Sequence, residues 1–200
     1  MKKLSTYLFL FLFSFSTPSF AGDIRDFEIE GMSIGDSLLD YFSEEQIKNQ
    51  KQKNQYPSSD KFIIYTFNND QQNKSFDDFE IYDAITIDIM KDDKKYVIEA
   101  LSGALKFKNS IDDCHEKKLE IEKELSTLFK NAKTRKTKMK KFLDKSGESL
   151  SFTTDYILST EDVAQITCDD WSEKFASFPD VLMLNLMSKK YSIFLVNEAY

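Results

Sequence analysis

The chain has 200 residues, a formal net charge of −7, and 18 Phe beside 9 Tyr. That length and aromatic content support a sizeable core and exclude a compositionally disordered polymer. The acidic balance disfavours nonspecific nucleic-acid binding, which depends on cationic groups displacing counterions from phosphates.

Met1-Lys2-Lys3 is a positive start, Leu4 to Phe15 is mostly Leu and Phe, and Ser19-Phe20-Ala21 ends in a small-x-small pattern. Together they predict a secretory signal peptide over 1–21, cut between Ala21 and Gly22. The apolar run is too short for a bilayer, which takes about 20 residues. The expected location is therefore periplasmic or secreted, and loss of Lys2 and Lys3 moves the charge from −7 to −9. Residues 22–200 are expected to form a single α+β domain, with possible halves at 22–109 and 110–200.

Phe27 and Ile29 alternate with charged neighbours and predict a short strand before Gly31. Ser33 to Ser37 offers oxygens for a helix start, with Leu38, Leu39 and Phe42 on one side. Ser43-Glu44-Glu45-Gln46 is a capping box that places Ile47 inward. A polar run from Lys48 to Ser59 predicts a loop. Strands follow at Phe62 to Phe67, at Phe79 to Met90 and at Tyr96 to Phe107. In the second, Phe79, Ile81, Ile85, Ile87 and Ile89 share a face. Lys91 to Lys94 is the turn after it, and Ser102-Gly103 is the expected bulge.

Ser110-Ile111-Asp112-Asp113 opens the longest helix, whose stripe runs Ile111, Cys114, Ile121, Leu125, Leu128 and Ala132, widened by Leu119 and Phe129 and broken at Lys118. Lys130 to Lys141 holds seven basic residues in twelve and no acid. The expectation there is a solvated helix end whose cations face the negative carboxyl-terminal dipole, the alternative being a patch for an anionic partner. Strands are then predicted at Leu150 to Leu158, Val163 to Trp171 and Val181 to Met187, and the tail from Lys189 reads equally as strand or helix. The fold class is α+β: antiparallel sheet with one long helix packed on a face, arranged as two helix-plus-three-strand units.

Cys114 and Cys168 are the sole cysteines, 54 positions apart. In an oxidising compartment an isolated pair forms a disulfide. Two Cys and one His fall short of a zinc set, no C-x-x-C is present, and no Gly-rich phosphate loop occurs, so no metal or cofactor is expected. His115 adjoins Cys114, but neighbouring helical residues point apart, so a Cys-His nucleophile is not expected.

The stretch Ile29-Glu30-Gly31-Met32-Ser33-Ile34-Gly35-Asp36-Ser37 resembles the Gly-Met-Ser helix start of bacterial outer-membrane-assembly lipoproteins of the BamE/SmpA type, whose fold resembles the β-lactamase-inhibitor protein. Those lipoproteins carry a lipidated Cys, which is missing here after Ala21. With Asp112-Asp113-Cys114, Cys168-Asp169-Asp170-Trp171 and Asn197-Glu198-Ala199-Tyr200, the chain is also similar to uncharacterised secreted proteins of AT-rich Gram-negative bacteria, a likeness that implies no activity.

Acids occur in pairs: Asp77-Asp78, Asp92-Asp93, Asp112-Asp113 and Asp169-Asp170. Turn and cap roles account for two of them. Asp169 or Asp170 beside Trp171 is the best remaining candidate for carboxylate hydrolysis, which needs two acids flanking a cleft. With so few catalytic residue types, no catalytic residue is assigned. The expected role is a noncatalytic envelope protein, either structural or binding a protein or another envelope component through a sheet face or aromatic edge; the alternative is a motif-poor periplasmic hydrolase using paired carboxylates.

Overall fold

The computed structural model describes residues 23–53, 56–69, 79–108, 110–141, 143–175 and 178–200. The leader, the Ala21/Gly22 junction and the Asp77-Asp78 pair lie outside the described residues.

The amino-terminal segment is built from turns. Ile29 and Met32 exchange backbone hydrogen bonds of 2.9 and 3.1 Å around Glu30 and Gly31, whose φ angles are 52° and 76°. Paired positive φ is what a two-residue hairpin turn requires, so the strand expected through Phe27 and Ile29 is instead a tight turn. The helix expected after Ser33 shrinks to one 3-10 turn, Leu38–Asp40, which buries Leu38 and leaves Leu39 exposed. The amides of Gly35 and Leu38 donate to the carbonyls of Ile98 and Tyr96, which diverts the backbone from helical bonding. The capping box forms as expected: Ser43 and Gln46 satisfy each other's backbone, and α1 (Glu44–Asn49) buries Ile47.

Strands β1 (Phe62–Asn68), β2 (Ala84–Met90) and β3 (Ile98–Phe107) make a first meander. The second strand was expected from Phe79 but starts at Ala84. The Glu30 carboxylate accepts the amides of Glu80, Ile81 and Tyr82 at 2.8–3.0 Å, and the Asn69 side chain bonds Phe79 and Tyr82. With those groups satisfied by side chains, residues 79–83 bend, Ile81 turns to solvent and Tyr82 enters the core. Its ring lies over Gly103, where an added Cβ would come within 2.6 Å of it. The irregularity in this meander falls at Asp88/Ile89 opposite Glu99, not at Ser102-Gly103.

Helix α2 (Ile111–Leu128) starts at Ser110, whose hydroxyl accepts the Asp113 amide. It buries Cys114, Lys118, Glu122 and Leu125, so Lys118 continues the stripe it was expected to break, while Leu119 is exposed. Four strands follow rather than three. β4 (Lys133–Lys140), β5 (Leu150–Ile157), β6 (Val163–Asp170) and β7 (Asp180–Met187) complete one seven-stranded antiparallel sheet in the order β1-β2-β3-β7-β6-β5-β4. The basic run is therefore an edge strand and not a helix end. Eight registered pairs with β5 override its weak local preference. The tail is a helix, α3 (Lys189–Asn197), capped by Ser188.

Register divides the sheet into two faces. On one, α2 lies over β6 and β7, while Ile24, Ile29, Met32, Leu38 and Ile47 share a core with Phe67, Ile85, Ile87 and Leu101. Cys114 and Cys168 are joined there, fully buried, with Cα atoms 6.1 Å apart. This fixes the first turn of α2 on β6. On the opposite face α3 covers only one end, where Tyr191, Phe194 and Ala199 pack on Phe62, Ala100 and Met187.

Candidate functional site

Across the face left open beyond α3, one row is polar from edge to edge. Thr66, Thr86, Ser102, Asn185, Gln165, Asp155 and Arg135 stand in register, one from each strand. Asn185 donates to Gln165 at 3.1 Å, and Gln165 to Asp155 at 2.8 Å. Arg135 closes the chain on the other Asp155 oxygen at 2.8 Å. Thr153 and Thr167 bond each other at 3.1 Å in the next row. Strand alternation produces this surface: the apolar residues between these positions point to the covered face.

Where the row meets α3, Asp88 is buried beneath two tyrosines. Tyr56 donates to its Oδ1 at 2.7 Å and is also hydrogen-bonded to Tyr191. Burial pushes the Asp88 carboxyl up to about 7, although hydrogen bonds from both tyrosines pull it down. Burial and the Asp88 charge push both phenols well above their ordinary range. Beside Tyr56 is a cavity of about 450 Å³ lined by Lys51, Lys91, Phe62 and Ile64 among others.

At the far edge stands β4. Alternation puts Lys136, Lys138 and Lys140 on the α2 face and Lys133, Arg135 and Met139 on the open face. Lys136 pairs with Glu122 at 2.8 Å, and Lys138 lies 4.9 Å from the centre of the Phe152 ring. Trp171, Phe175 and Phe178 cluster nearby, with ring centroids 5.1–6.2 Å apart and Lys141 over Trp171.

Among the described residues, the acid pairs do not meet in one place. Asp93 accepts the amides of Lys95 and Val97 in the turn after β2. Asp112 and Asp113 sit in the first turn of α2. Asp169 is buried on the open face, bonded by Ser151 at 2.6 Å and by Lys141. Asp170, one residue on, points to the opposite face. Burial first and then the Asp180 charge raise its carboxyl, with His115 and Lys138 opposing. His115 itself packs edge-on against Phe152. Among the described residues, no group of three or more His, Cys, Asp or Glu is placed to hold a metal ion.

A buried ion cluster was not foreseen. Lys118 and Glu122 pair under α2, Thr154 bonds both, and Lys136 reaches Glu122 from β4. Desolvation raises the Glu122 carboxyl, but these partners outweigh it and hold the group down at about 2. The signal was present in the interrupted stripe, since Lys118 and Glu122 are one helical turn apart.

Compared with protein-family models, curated proteins and solved structures, the chain matches none. No helix among the described residues is long and apolar enough to cross a membrane.

Proposed function

We propose that this is an exported envelope protein that acts by binding a partner, without a catalytic centre. One observation carries the reading: the described acids that hydrolysis would need are spread over a turn, a helix start and opposite sheet faces, with Asp93 and Asp169 already held by structural hydrogen bonds. The oxidised Cys114–Cys168 pair supports an oxidising compartment, and the signal-like start supports export. An open sheet face and an open edge supply binding surface.

The hydrolase reading has one point in its favour, the raised Asp170 beside Asp180. The two readings separate on incubation with envelope glycans and simple ester substrates. A binding protein gives no turnover above that of Asp170→Asn. Turnover that vanishes in Asp170→Asn or Asp169→Asn, with folding retained, overturns the proposal. The address is checked by sequencing the amino end of the exported protein, expected to begin at Gly22.

A further inference from the structure

We infer that β4 is the docking edge for an acidic peptide segment in extended form, which adds to the sheet as an eighth strand. The inference rests on the binding reading above and names the partner's chemistry.

The two edges of the sheet are treated differently. Along β1 the chain covers its own edge: Gln52 donates to the Ile64 carbonyl at 2.8 Å, and Thr66 donates to that of Gln50 at 3.1 Å. Along β4 no described residue bonds the outward backbone groups. An open row of amides and carbonyls is a template for another strand.

Charge then selects which strand. In a chain of net charge −7, β4 carries five cations in eight residues and no acid. Arg135 and Lys136 have carboxylate partners, whereas Lys133, Lys138 and Lys140 make no ion pair among the described residues. A second copy of β4 would set lysine against lysine, which disfavours self-pairing. An incoming strand with Glu or Asp at every second position sets carboxylates opposite Lys138 and Lys140, the two lysines on that side without an ion pair among the described residues. It continues toward Lys136, which Glu122 already holds. Its alternate side chains meet Arg135, Thr137 and Met139, which suits hydroxyl and apolar residues. The selected pattern is therefore an alternation of acids with Thr or Val.

The test uses the oxidised protein and two labelled peptides of one composition, Glu alternating with Val and Thr in one and blocked in the other. The alternating peptide is expected to bind about tenfold more tightly, as two favourable cross-strand pairs allow. Binding should also slow hydrogen exchange at β4 amides. Lys138→Glu with Lys140→Glu should remove the preference, and the milder Lys138→Gln with Lys140→Gln should weaken it while melting stays near wild type. Equal affinity for both peptides, binding without amide protection, or preferential retention on anionic vesicles overturns the inference. That failure leaves the binding reading itself standing, because only turnover lost in the Asp169 or Asp170 variants removes it.

Discussion

Single residues carry much of the strain and charge in this fold. Asp88 is the clearest case, a carboxyl buried under Tyr56 and Tyr191 with its pKa pushed to about 7. A raised acid favours the protonated fold, so its contribution is intact below about pH 4 and is lost as pH climbs to about 7. The loss is at most about 4 kcal/mol. Urea unfolding across that window should show wild-type stability falling with pH, and Asp88→Asn should flatten the slope. An unchanged slope in the variant would place the titration elsewhere. Gly103 makes a second prediction. Its missing Cβ leaves room for the Tyr82 ring, so Gly103→Ala is expected to cost about 1–3 kcal/mol by overpacking. Pairing it with Tyr82→Ala should remove most of that penalty, which a thermal-melt cycle would measure.

At the scale of elements, α2 is held by a bond and a charge cluster. The disulfide closes a loop of 54 positions, for which chain entropy alone gives about 4 kcal/mol. The Lys118–Glu122 pair behaves differently. Lys118→Met alone strips Glu122 of a buried partner and is expected to cost about 3 kcal/mol, while Lys118→Met with Glu122→Leu should regain most of it. Because Glu122 is held at about 2, its contribution is present above about pH 4.5 and is lost as pH falls toward 2. Acid titration of the double variant should lack that step. Elements with local signals were legible beforehand: the Ser43 box, the Ser110 cap, the alternating β5 and β6, and the isolated cysteines. β4 was not, because Lys-Thr-Arg-Lys has no apolar period and becomes a strand only through pairing with β5. Residues 79–83 misled for the converse reason. Their alternation is strand-like, yet Glu30, about fifty positions earlier, takes the amides that a neighbouring strand would have used. The polar row likewise exists only once seven strands are in register.

The whole molecule is two meanders sewn together by β7. That strand pairs with β3 on one side and β6 on the other, and α3 follows it to seal one end of the open face. A chain ending before Asp180 should therefore lose the join between its two half-sheets and fail to hold either one, and light scattering and exchange should find it aggregated and unprotected in β3. A monomeric, protected truncation would mean that the halves fold alone. The strand that sits fourth in space is the last of the described strands in chain order. A chain emerging from its amino end waits with β3 and β6 bare until 180–187 arrive. Delivery speed of the stretch from β6 to β7 then sets how long the unfinished sheet can be captured by its neighbours, so a delay between those two strands is more hazardous than one before β6.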